Sequence, residues 1–482
     1  MPKTIPPRTR RAVVVAIALL SASAVTVLSA VHAQPATAAP ATTSLRQDFN
    51  GDGYEDLAVA APSATVAGKA KAGYVAVLYG SAAGLKSGTR KVYTQASTGV
   101  PGTVEAGDLF GAGLAVADLD GDGYTDLVVG AAGETWQQNG HDMVGNRTVL
   151  WGGPGGFASG KVLPAEGIGL SQDFTTVTGD FNGDGHQDLA RNGLVSFGPF
   201  GRDGVPAAGQ TGADFSDGDL DAIDVATGDV DGDGITDIVT VARSYDSDDD
   251  GNYYYELDYA PGGKDGLQRP VVLKDGQGNR IVPGTSVALG DLDGDHHADI
   301  VVGGPNQLDI IRGTRNGPAV AAPRVITQDT PGVPGADEPG DGFGTSVSVG
   351  DVNGDGYDDI LAGVPYEDFG GLRNAGTFAV VPGGPDGSTG AGTKVFSQDS
   401  AGVSGTAENN DLFGANTHLV DGNGDGRKEP VVAALGEDAY DGAVWVFGAT
   451  RTGVTATGSF SFGPRALGTT ASGAGLGREF PR

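Results

Sequence analysis

Seven nine-residue stretches of this chain place oxygen donors at alternate positions, and that spacing is what a hard divalent cation requires. They read DFNGDGYED from Asp48, DLDGDGYTD from Asp118, DFNGDGHQD from Asp180, DVDGDGITD from Asp229, DLDGDHHAD from Asp291, DVNGDGYDD from Asp351 and DGNGDGRKE from Asp421. Calcium takes six to eight oxygens; carboxylates or amides at positions 1, 3, 5 and 9 with a main-chain carbonyl at 7 supply them. In the first stretch the donors are Asp48, Asn50, Asp52, the carbonyl of Tyr54, and Asp56; in the second, Asp118, Asp120, Asp122, Tyr124 and Asp126. The third offers Asp180, Asn182, Asp184, His186 and Asp188, and the fourth Asp229, Asp231, Asp233, Ile235 and Asp237. The fifth offers Asp291, Asp293, Asp295, His297 and Asp299, and the sixth Asp351, Asn353, Asp355, Tyr357 and Asp359. The seventh has Asp421, Asn423, Asp425, Arg427 and Glu429. Glycines such as Gly51 and Gly53 permit the tight turn.

A helix-loop-helix site would need a glutamate at position 12. Val59, Val129, Arg191, Thr240, Val302, Ala362 and Val432 stand there instead, so these are expected to be strand-loop-strand sites. The fifth and seventh look poorer, with His296 for a turn glycine and Glu429 followed by Pro430. The donor positions of the loops hold 24 of the 61 acidic residues, and the formal charge is −31. Such an excess argues against nucleic acid as a partner. There are no cysteines, so up to seven structural Ca²⁺ ions are the expected substitute for disulfide staples.

The elements that position the loops follow from the repeat. Loop starts lie 70, 62, 49, 62, 60 and 70 residues apart, enough for four strands and their connections. A four-stranded blade, apolar on both faces, cannot bury itself alone, and seven stacked in a ring can. The expectation is an all-β, seven-bladed propeller of four-stranded antiparallel blades, with a calcium loop between the first and second strands of each. Lys3, Arg8, Arg10 and Arg11 followed by apolar residues 12–31 read as a secretory signal over 1–39. The propeller then occupies 41–482, with blades near 41–97, 98–166, 167–215, 216–276, 277–329, 330–399 and 400–462. Residues 463–482 are expected to lie across the seam between blades seven and one, Leu476-Gly477 resembling an element the first unit lacks. No later segment reads as a membrane span.

Phe110-Gly111, Phe343-Gly344 and Phe413-Gly414 each stand eight residues before a loop aspartate, and Ala-Ala-Pro (60–62), Gly-Gly-Pro (303–305) and Gly-Val-Pro (363–365) follow the second strand. This pattern resembles the FG-GAP repeat of the integrin alpha-subunit N-terminal β-propeller and its secreted bacterial relatives. The first unit has no Phe-Gly, and units three to five lack the Phe. The resemblance implies a calcium-binding, extracellular module for adhesion or binding.

No GxSxG, HExxH, P-loop or strand-linked GxGxxG is present, and of the six histidines only His141 is expected in a long free loop. The reading is therefore non-enzymatic: a monomeric, secreted module that binds protein or glycan. A polysaccharide lyase or hydrolase on a propeller scaffold is the alternative. The binding face follows from a second recurrence: 95–111, 328–344 and 398–414 align without gaps, placing Glu105, Glu338 and Glu408 three residues before Asp108, Asp341 and Asp411. These connections share the face opposite the loops with Glu134, Trp136, His141, Tyr245 to Asp250, Tyr366 to Phe369 and Glu437 to Tyr440, predicting an acidic, aromatic-bearing rim.

Overall fold

The computed structural model describes Met1 and residues 47–138, 141–164, 176–191, 193–213, 221–245, 253–281 and 284–482. The chain divides into a unit of Met1–Ala41 and one of Thr42–Arg482; the expected signal segment, apart from Met1, lies outside the described residues. Among them no helix is long and apolar enough to cross a membrane.

Residues 47–482 form a seven-bladed β-propeller of antiparallel sheets. Blade two shows the plan: Phe110–Ala117, Asp126–Gln138, His141–Trp151 and Ser159–Val162 pair in sequence order. The second strands of blades one, five, six and seven, Leu57–Ala61, Asp299–Gly303, Asp359–Val364 and Glu429–Ala434, are buried at every residue. A half-exposed strand would alternate, and these do not because a neighbouring blade covers each face. The core accordingly consists of seven separate apolar wedges, one per seam. Phe110 and Leu127 of blade two, for example, pack with Val75 and Tyr93 of blade one.

The Phe-Gly pair makes the seam. Phe110 is buried between blades, and Gly111 has φ +96°, where a Cβ would meet the Ala60 Cβ at 2.8 Å. Only glycine lets the incoming strand lie this close.

Six sheets have four strands, and the first has three, Leu57–Ala61, Tyr74–Leu78 and Arg90–Tyr93. Its inner edge is completed from the far end of the chain. Glu479 bridges Ala60 in antiparallel fashion, the same pairing that Gly113 makes with Gly130 in blade two. Gln47 occupies the loop end of this edge, its carbonyl accepting the Asp56 N–H at 2.6 Å. Residues Leu467, Ala474, Leu476 and Phe480 are buried with Leu57, Tyr74, Val431 and Val444 in the wedge between blades seven and one, so the tail does lie across that seam. Beyond it, Phe480 stacks on His418 at 5.4 Å, and Arg482 pairs with Asp224 of blade four. The tail thus fills part of the central channel, beside a cavity of about 340 Å³ into which Ser286, Ser346 and Thr417 face.

One expectation needs correction. His141 is not in a free loop: it opens a strand and pairs with Gln138, since the second and third strands of blade two continue well past their neighbours as a hairpin.

Candidate metal centres

Each loop curls around its first aspartate. The Asp48 carboxylate accepts the N–H groups of Gly51 at 2.7 Å, Asp52 at 3.1 Å and Gly53 at 2.8 Å. Asp180 repeats this with Gly183, Asp184 and Gly185, and Asp291 with Gly294, Asp295 and His296. The remaining loops keep the position-6 bond: Gly123 to Asp118, Gly234 to Asp229, Gly356 to Asp351 and Gly426 to Asp421. His296 holds φ +67° to do so, so the fifth loop preserves the turn despite lacking its glycine. The position-5 carboxylates Asp52, Asp122, Asp184, Asp233, Asp295, Asp355 and Asp425 each cap the N–H two residues on.

Position 9 works as a latch. Asp56 accepts the N–H of Phe49 at 2.9 Å and of Gly80 at 2.9 Å, tying the loop to the end of the third strand. Asp126, Asp188, Asp237, Asp299 and Asp359 make the corresponding pairs of bonds. In the seventh loop the longer Glu429 accepts from Gly422 at 2.9 Å and from the Asn423 amide. Burial, reinforced by the other loop carboxylates, pushes these groups up: Asp56, Asp188, Asp237, Asp299 and Asp359 to about 7, Asp126 and Glu429 to about 8. Carboxylate oxygens approach within 4.8 Å of one another in Asp118, Asp120 and Asp122; Asp229, Asp231 and Asp237; Asp291, Asp293 and Asp295; and Asp421, Asp425 and Glu429. Converging, mutually repelling hard oxygens on a pre-curled backbone fit a divalent cation such as calcium.

Position 7 carries a function that its reading as a mere carbonyl donor missed. At six of the seven seams its side chain lies over the position-4 glycine of the preceding loop, Gly121 being the exception; an added Cβ would meet Tyr124 at 2.4 Å from Gly51, Ile235 at 3.0 Å from Gly183, His297 at 2.9 Å from Gly232 and Tyr357 at 2.9 Å from Gly294. Arg427 covers Gly354 and Tyr54 covers Gly424 in the same way. A backbone bond runs beside each contact, from the position-8 N–H to the preceding position-1 carbonyl: Thr125 to Asp48, Thr236 to Asp180, Ala298 to Asp229, Asp358 to Asp291, Lys428 to Asp351 and Glu55 to Asp421, all within 2.8 to 3.2 Å. Bulky residues at 7 facing glycines at 4 were the available sequence signal.

On the opposite face the recurrent segments act differently from a simple acidic rim. Asp108, Asp341 and Asp411 are buried and accept the N–H of Glu105, Glu338 and Glu408; these aspartates build turns, and the three glutamates stay exposed. The repeated glutamines are buried too. Gln95 donates to Glu134 at 2.5 Å, Gln328 to Glu367 at 2.8 Å and Gln398 to Glu437 at 2.8 Å, each pair 39 residues apart. Trp136 is held in its hairpin by a bond to the Gly145 carbonyl at 3.0 Å. Among the described residues, Tyr366 and Tyr440 are exposed rings on this face, at 44% and 61%. The acidic run 246–250 lies outside the described residues.

With this geometry in view, four segments, 39–78, 110–156, 283–318 and 343–381, match the FG-GAP repeat model. The chain carries FG-GAP repeats. The first three of these segments each contain one of the loops described above, and the last contains the sixth. The chain is similar to phosphatidylinositol-glycan-specific phospholipase D of Homo sapiens, 31% identical over 35% of this chain and 20% of that protein. It is also similar to integrin alpha-3 of Mus musculus, 33% identical over 28% of this chain and 13% of that protein. The matched part thus spans a fifth or less of these relatives. An Agrocybe aegerita lectin structure, described as recognising non-reducing terminal N-acetylglucosamine, aligns over 88% of this chain and 93% of its own at 16% identity and a TM-score of 0.48.

Proposed function

We propose that this chain is a secreted, calcium-stabilised FG-GAP propeller that binds an extracellular protein or glycan through the face opposite its loops and catalyses no reaction. The observation that carries the calcium reading is the position-9 latch: a buried carboxyl beside two or three more, in every blade, is costly without a cation and favourable with one. Up to seven ions would be structural. Extracellular modules bind calcium at about 10⁻⁴ to 10⁻³ M; at roughly 1 mM calcium and 0.1 mM affinity each site adds about 1.4 kcal/mol. Export is supported by the basic and apolar residues at 3–31, and the similarity to an integrin alpha chain favours a binding role.

His418 is held as a structural group. Burial pushes it down to about 3, and its ring is wedged between Phe480 and the Gln47 amide, a structural setting. The phospholipase similarity is the observation favouring an enzyme instead. The deciding experiment is a glycan-array and pull-down screen with calcium-loaded protein, run beside phospholipase and polysaccharide-cleavage assays. Binding without turnover supports the proposal, and turnover overturns it.

A further inference from the structure

In two of the seven loops a guanidinium of the chain bridges the carboxylates at positions 3 and 5. In loop two, Arg202 Nε lies 2.6 Å from Asp120 Oδ2, and its Nη2 reaches Asp122 Oδ2. In loop five, Arg312 Nη2 lies 2.7 Å from Asp293 Oδ2 and 2.8 Å from Asp295 Oδ2. These are the oxygens that the loop backbone leaves open, for the Oδ1 atoms of Asp120, Asp122, Asp293 and Asp295 accept loop N–H groups.

The residue at position 3 sets the charge that such an arginine meets. In loops one and three it is asparagine and the amide itself satisfies position 5, Asn50 Nδ2 donating to Asp52 at 3.1 Å and Asn182 Nδ2 to Asp184 at 3.0 Å; the amides of Asn353 and Asn423 donate to position 9 instead, at Asp359 and Glu429. Where it is aspartate, two carboxylates face each other and repel. Loops two, four and five have aspartate there; loops two and five each receive a guanidinium from the connection that follows a third strand, and among the described residues no arginine pairs with Asp231 or Asp233 of loop four. Arg312 directly follows Leu308–Ile311 of its own blade. Arg202, beyond Gly193–Phe197 of blade three, reaches back to blade two and packs over Trp151 at 5.6 Å. That seam is the one where, among the described residues, the position-8 to position-1 backbone bond is missing. Both arginine side chains are about half exposed, at 49% and 57%, so each has an open path into solvent.

We propose that Arg202 and Arg312 are built-in counter-cations that compete with calcium for the carboxylates at positions 3 and 5, making loops two and five weaker calcium sites that keep their form without the ion. Calcium entry there requires the guanidinium to swing out; in loop seven Arg427 pairs with the position-5 Asp425 alone, so among the described residues only loops two and five have the carboxylates at both positions 3 and 5 held by an arginine. The inference rests on the calcium reading above.

The test is a calcium titration by calorimetry of stripped full-length protein, wild type against Arg202→Ala/Arg312→Ala, with Arg202→Gln/Arg312→Gln as the pair that retains a donor should the alanines not fold. Wild type should show two sites weaker than the rest by about tenfold or more, the scale of a lost charge-assisted bond. The variants should bring those two into the main class. In chelator the variants should melt below wild type, and in saturating calcium the gap should close. Seven equal wild-type sites, or a melting deficit that calcium leaves unchanged, would overturn this proposal alone. No calcium binding by any of the proteins would overturn it together with the calcium reading.

Discussion

The Gly477 N–H donates to the Ala60 carbonyl at 3.1 Å, and the Ala60 N–H donates back to Glu479 at 3.0 Å, so two segments more than 400 residues apart share one sheet edge. Gly477 has φ +92° and its Cβ position lies 2.6 Å from the Ala433 Cβ, reproducing across the last seam what Gly111 does across the first. Leu476 takes the place of Phe110. Leu476→Ala should therefore cost about 2 to 5 kcal/mol, and Gly477→Ala about 1 to 3 kcal/mol through crowding and backbone strain. Truncation after Phe462 should cost more than either. Urea unfolding reads all three, and coincident curves would refute the closure.

Chelation should lower the melting temperature by about ten degrees or more, given a linkage contribution of several kcal/mol summed over the loops. An unshifted melt in excess chelator would contradict a structural role for calcium.

His296→Gly should stabilise the fifth loop by up to about 1 kcal/mol, because His296 sits at φ +67° where the other loops use glycine. Thermal melts at fixed calcium decide it; a destabilised variant would show that the imidazole makes a contact worth more than the strain.

Burial, with Asp411 next, pushes Glu437 up to about 7 from an ordinary 4.5. Between those values the folded chain holds a proton that the unfolded chain releases, so this group's contribution is full below about pH 4.5 and is lost as pH rises through 7. Glu437→Gln keeps an acceptor for Gln398 and carries no charge. It should melt higher than wild type at pH 8 and match it near pH 4; a difference independent of pH would rule the assignment out.

For the partner face, Tyr366→Ala and Tyr440→Ala should weaken binding of a screened ligand by about 1 to 3 kcal/mol each with little change in melting. Trp136→Ala should also lower stability, since its indole bonds the hairpin backbone. Binding kinetics on folded, calcium-loaded variants check this, and full affinity in both tyrosine variants would place the partner elsewhere.

The loops, the blade count and the seam position of residues 463–482 were legible in the sequence, because short-range spacing alone dictates them: nine residues curl around one aspartate whatever surrounds them, and a repeat of apolar strands must stack. Even the tail was readable, since Leu476-Gly477 carries the same local shape as Phe110-Gly111. What the tertiary structure decided lies between blades. That Tyr124 covers Gly51, that Gln398 reaches Glu437, that Asp108 is buried in a turn while Glu105 stays in solvent, and that Arg202 crosses a seam to Asp120 all depend on which residues the ring brings face to face. No spacing within one blade encodes those distances, because they are set by the stacking of sheets whose strands are distant in sequence.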